Sequence, residues 1–157
     1  AAKAMRSPLM MTPPSWIAPP DPRVAAVIEV CRVRARTTIQ LAEQIRVFFE
    51  RPDLSAMIPA AAKILDAPGA PAALNAIRGA ITSATAEWSL ESVHAALEPV
   101  PAALGVKPGE LFQPLRAALT GSNASPEIYA VVLNVGRDES LARIDAALAA
   151  ALARRKS

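Results

Sequence analysis

The residues best suited to chemistry in this sequence are arginines close to turns. Arg116 lies on a short stretch of helical pattern, broken by Pro114, just before Leu119-Thr120-Gly121. The loop Ser122-Asn123-Ala124 then leads into Ser125-Pro126-Glu127. That tripeptide has the form of a helix start: a capping hydroxyl, a proline at the first helical position and a carboxylate for the helix dipole. A guanidinium, a hydroxyl and free backbone N–H groups at a helix N-terminus could together hold phosphate oxygens or the edges of splayed-out RNA bases. The plainer alternative is a capped loop with a solvated arginine. Arg34 and Arg36 supply further guanidinium groups on what reads as a long first helix.

Other chemistries find little support. His94 is the only histidine, which excludes HExxH sites and multi-histidine metal centres. No nucleophile elbow lies near it, so it reads as a surface or half-buried residue. Cys31 is the only cysteine, which excludes an intramolecular disulfide and a cysteine-based zinc site. It falls on an apolar helical stripe and fits a small core residue in a reducing compartment, cytoplasmic or in an organellar matrix. Glu87 and Glu91 are spaced for a solvated helix face, and no GxGxxG or P-loop occurs. No catalytic residue, metal site or cofactor is expected.

The elements that must position the arginines read as helices. Asp21-Pro22 opens the first, and Val24, Ile28, Cys31, Ala35, Thr38, Ala42, Ile45 and Phe49 recur at three- and four-residue steps. Arg51-Pro52 ends it. A second helix is expected over 53–66, interrupted near Pro59, and a third over 71–86. Ser89 caps a fourth, which Pro99 and Pro101 break or kink. A fifth runs from Glu110 to Thr120 and stops at Gly121, and a sixth runs from Ser125-Pro126 to Val135. Asp138 caps the last, with Leu141, Ile144, Leu148 and Leu152 as its stripe. Residues 1–20 carry prolines at 8, 13, 14, 19 and 20, too many for a continuous helix, and are expected to form an extended arm.

Composition agrees with helices. Of 157 residues, 52% are hydrophobic and 20% charged, which excludes a disordered tail, while aromatics at 4% leave alanine to dominate the apolar share. The fold class expected is all-α. No run of about 18 uncharged apolar residues exists, so no membrane span is expected. A net charge of +3 permits a polyanionic partner without requiring one.

The block from Gln113 to Gly121, with Pro114-Leu115-Arg116 and Leu119-Thr120-Gly121, followed by Ser125-Pro126, closely resembles the C-terminal region of bacterial-type glutamyl-tRNA synthetases. The likeness takes in Trp88-Ser89, Gly105-Val106-Lys107-Pro108-Gly109, Gly136-Arg137 and Leu141-Ala142-Arg143-Ile144. Arg34-Ala35-Arg36-Thr37, with Leu41-Ala42-Glu43 and Arg46-Val47-Phe48-Phe49, looks like the first long helix of that region. The resemblance covers roughly residues 21–150. It implies an all-helical anticodon-binding domain of two subdomains, 21–87 and 88–157, preceded by the arm. The catalytic domain of that family carries HIGH and KMSKS motifs; both are absent from this sequence, so the chain alone is not expected to activate glutamate.

The resemblance also implies roles. Arg116 would contact the first anticodon bases, Ser125, Pro126 and Ile128 would frame the first base, and Thr120 would belong to the same RNA-binding set. Arg36, or a neighbour on its helix, would face the third. Arginine suits such work because its planar fork both hydrogen-bonds and stacks. The partner implied is a tRNA with a glutamate-type anticodon loop. A catalytic domain upstream in the parent chain, or a protein complex contacted by the arm, would be a second partner. The alternative is a non-catalytic helical interaction or structural subunit derived from that domain. Accessible Arg36 and Arg116 favour RNA; their burial in salt bridges favours a scaffold.

Overall fold

The computed structural model describes residues 22–156; the expected arm over 1–20 lies outside them. Among the described residues there are nine α-helices and no strand. They are α1 (Arg23–Arg32), α2 (Thr38–Phe49), α3 (Pro59–Asp66), α4 (Ala70–Ser83), α5 (Leu90–Leu97), α6 (Val100–Leu104), α7 (Pro108–Thr120), α8 (Ile128–Val135) and α9 (Arg137–Lys156). The all-α expectation stands. No described helix is long and apolar enough to cross a membrane.

The helix expected to run unbroken to Phe49 is two helices. Thr37 is extended (φ −134°, ψ 160°) and caps α2, its hydroxyl accepting the Gln40 N–H at 3.1 Å. Gln40 Oε1 in turn accepts the Arg36 N–H at 2.9 Å. These side-chain bonds compete with the helical ladder and end it. Arg34 and Arg36 therefore lie on a bend between α1 and α2, not on a helix. Two helices of different direction cannot keep one stripe inward. Val27, Cys31 and Phe48 are buried, Ile45 and Phe49 are half-buried, and Thr38 and Ala42 are exposed.

α7 lies at the centre of the packing, against α2, α3, α4, α8 and α9. From Pro114 to Thr120 every residue is buried except Arg116, which is half-buried. Ala117 and Ala118 leave room for close helix approach. The helix runs through Pro114, which removes the hydrogen bond that the carbonyl of exposed Glu110 would otherwise accept. Gly121 ends it in the left-handed conformation (φ 69°), its N–H bonding Ala117 O at 2.9 Å. Side-chain space is also closed there, since a Cβ on Gly121 would stand 2.8 Å from Pro52 Cβ.

Several expected boundaries move. The second helix starts only at Pro59, after Asp53 has drawn the Ser55 N–H into a local turn at 2.9 Å. Ser89 caps α5 as expected, with Ser92 reciprocating. α9 begins directly after Gly136, so Asp138 sits in its first turn rather than capping it. Its buried residues are Ser140, Arg143, Ile144, Ala147 and Ala151, and Leu152, expected inward, is 55% exposed. The small alanine face of α9 packs closely on α4 and α7, and Leu141 and Leu148 flank the contact half-buried.

Candidate nucleic-acid interface

The last turns of α7, the loop after it and the α1–α2 bend converge on one residue, Ser125. Arg116 Nε donates to Ser125 Oγ at 2.8 Å. From the bend, Arg34 Nη1 donates to the Ser125 carbonyl at 2.8 Å. The Ser125 hydroxyl donates onward to Pro126 O at 2.9 Å. Ser125 thus does not cap a helix, contrary to the expected Ser125-Pro126 start. Glu127 caps α8 two residues later, accepting the N–H groups of Tyr129 at 3.1 Å and Ala130 at 3.0 Å. A carboxylate can take two helix donors where a hydroxyl takes one. Because a negative charge already covers the α8 N-terminus, the anion-binding N–H groups expected there are occupied.

Burial, and then the positive charge of Arg34, push the Arg116 guanidinium down from its ordinary value; Glu127 offsets part of this. It nonetheless stays charged at neutral pH. Neither Arg34 nor Arg116 forms an ion pair among the described residues. Two like charges held on one serine make the surroundings attractive to electron-rich oxygen atoms from outside the chain.

A cleft of about 160 Å³ opens beside Ser125. Glu43, Gln44 and Val47 of α2 form one wall; Thr120, Ser122, Ala124, Ser125 and Pro126 form the other. The Thr120 hydroxyl is used internally, donating to Arg116 O at 2.8 Å and accepting the Ser122 N–H at 3.3 Å. Among the described residues, Gln44 Oε1 is buried without a hydrogen-bond partner, as is Gln113 Oε1. An unpartnered buried acceptor is costly unless a donor meets it.

The structure thus brings Arg116, Thr120, Ser125 and Pro126 together. Ile128, 6% exposed, belongs to the core at the start of α8. Arg36 is exposed on the bend, and no hydrogen bond joins its side chain to the others. Its neighbour Arg34 makes the contact instead. Gln44 and Val47 were not legible as cleft residues, because on an unbroken first helix they have no loop to face. The signal that relocates them is Thr37-Thr38-Ile39-Gln40, a capping-box spacing inside an apparently continuous helix.

An all-α chain with an arginine-flanked cleft at a helix–loop–helix corner is the class of domain these features define. A family model described as anticodon binding domain matches residues 5–148, and the chain belongs to that family. The match reaches closer to the N-terminus than the resemblance over 21–150. Glutamate–tRNA ligase 1 of Erythrobacter litoralis is 40% identical over 119 residues, 76% of this chain and 24% of that protein. The glutamate–tRNA ligase of Myxococcus xanthus is 37% identical over 130 residues, 82% of this chain and 26% of that protein. The chain therefore spans about a quarter of the length of these curated relatives. A crystal structure of a glutamate tRNA ligase from Elizabethkingia meningosepticum superposes with a TM-score of 0.72, covering 85% of this chain and 26% of that one. At 21% identity this likeness shows the fold alone.

Proposed function

We propose that this chain recognises the anticodon loop of a glutamate-type tRNA, as the C-terminal part of a glutamate–tRNA ligase. The observation that carries the reading is the convergence of Arg34 and Arg116 on Ser125, with neither guanidinium in a salt bridge among the described residues. Ion-paired arginines would have favoured a scaffold. Names of the matching relatives point the same way. In this reading Arg116 meets the first anticodon bases through the part of its fork not engaged by Ser125. Thr120, Ser125 and Pro126 frame the first base in the cleft, with Ile128 supporting them from the core. Arg36, exposed on the bend, faces the third base. Single-stranded loop bases are the usual targets of specific RNA recognition, because their edges and faces are accessible. The two helical parts, 21–87 and 88–157, serve one RNA-facing surface. Glutamate activation belongs to a catalytic domain of the parent protein, in the cytoplasm or an organellar matrix, and the arm is available to a neighbouring protein.

The test is a titration of the chain against a glutamate-accepting tRNA transcript and against transcripts altered at single anticodon bases. Tighter binding of the unaltered transcript, with a loss that depends on the base changed, supports the reading. Equal binding of all transcripts, or none, overturns it.

A further inference from the structure

Arg143 lies on α9, outside the cleft, and is the one arginine of the core among the described residues, its side chain 1% exposed. Its Nη1 donates to Val47 O at 2.5 Å and to Leu119 O at 2.8 Å, and its Nε donates to Glu139 Oε1 at 3.0 Å. Val47 is in the last turn of α2 and Leu119 in the last turn of α7. Carbonyls in a last turn have no partner within their own helix. One guanidinium therefore satisfies the ends of two helices, where both dipoles favour a cation. Arg51, just past α2, grips Glu139 through bonds of 2.8 and 3.1 Å and closes the network. Val47 itself, and Thr120 next to Leu119, line opposite walls of the cleft.

Apolar side chains of similar volume can replace a buried ionic group with little loss of stability. They cannot fix the distance between two carbonyls. We propose that Arg143 is a positioning residue: it sets the separation of α2 from the loop after α7, and so the width of the cleft offered to a base. The consequence for recognition rests on the proposed anticodon reading; the geometric part does not.

The experiment has two readouts on Arg143→Met, each after confirming cooperative unfolding. The first is the distance distribution between spin labels on Ala42→Cys and Asn123→Cys, both exposed positions on either side of the cleft, Cys31 being buried. The expected result is a narrow distribution in the parent and a broader one in Arg143→Met. The second is the ratio of affinities for matched and single-base-altered tRNA. That ratio should fall about tenfold, within what one well-placed base contact provides. Where Arg143→Met does not fold, Arg143→Lys and Glu139→Gln carry the same measurements, since each removes part of the fork's anchoring. An unchanged distance distribution in a folded variant overturns the proposal, as does a broadened one with undiminished discrimination. Broadening in a protein whose parent binds no tRNA supports the positioning role and removes the anticodon reading instead.

Discussion

At the scale of single residues, Arg116 and Glu139 give the sharpest expectations. Arg116 has committed its Nε to Ser125, so only the outer fork remains for a ligand. If that fork reads a base, Arg116→Ala costs about 1–3 kcal/mol in binding, and the cost depends on which base is altered. Arg116→Lys is nearly as damaging, because an ammonium can neither span two acceptors nor hold Ser125 at once. Fluorescence anisotropy with matched and altered tRNA separates this from a phosphate contact, where lysine rescues and the loss is uniform. Glu139 shows the other use of charge. Hydrogen bonding from Arg51 first, and then from Arg143, holds its carboxyl below the usual range, against the opposing effect of burial. Its folded value is depressed, so its contribution is complete above the unfolded value near 4.3 and is lost as pH falls through the folded one. Glu139→Gln should thus lower the urea midpoint at neutral pH and show a flatter acid limb. Equal pH dependence of variant and parent would show that the pair contributes nothing. The sequence showed Arg116 as a candidate because it stands next to turn residues. The internal use of the Thr120 and Ser125 hydroxyls was not legible, since their partners come from backbone and side chains placed only by the fold.

At the scale of elements, caps decide where the site residues go. Ser89 and Gly121 were readable, each carrying a local signal that no tertiary contact opposes. The break at Thr37 was masked by apolar spacing that continues across it, although the Thr37–Gln40 pair was present. The start of α8 was misplaced because Ser125 and Glu127 both compete to cap, and the nearby Arg116 removes Ser125 from the contest. Thr37→Ala should cost about 1 kcal/mol in thermal unfolding, the usual value of a lost cap, and should also loosen the Arg34 contact across the bend. No change in stability would mean the bend is held by packing alone. Ile45, half-buried rather than inward, should lose less on truncation to alanine than the 2–5 kcal/mol of a fully buried site. Gly121→Ala is expected to be worse than its size suggests. It combines a positive φ with the 2.8 Å approach to Pro52, and strained backbone alone costs about 1–3 kcal/mol. A denaturant midpoint for Gly121→Ala matching the parent would show that neither the positive φ nor the approach to Pro52 carries a cost.

At the scale of the whole molecule, the balance between charge and shape determines how the chain should bind RNA. The net charge is only +3, and several cations are already engaged within the fold: Arg51 and Arg143 with Glu139, Arg78 with Asp145, Arg154 with Asp66. The cations outside these pairs neutralise phosphates only where they face the RNA. Each phosphate neutralised contributes about 0.7–0.9 to the dependence of log affinity on log salt, so a handful of contacts gives a slope of roughly −2 to −4. Base reading in the cleft behaves differently, because hydrogen bonds to base edges release no counterions. Matched and anticodon-altered tRNA should therefore give parallel lines against log salt, separated by a constant offset. Arg116→Ala should reduce the offset and leave the slope unchanged; replacing a phosphate-contacting arginine should reduce the slope by about one and keep the offset. Isothermal titrations at four or more salt concentrations, on the parent and Arg116→Ala, measure both quantities together. Lines that converge at high salt would show that discrimination itself is electrostatic, and the cleft between α2 and the loop after α7 would then not be where the bases are read.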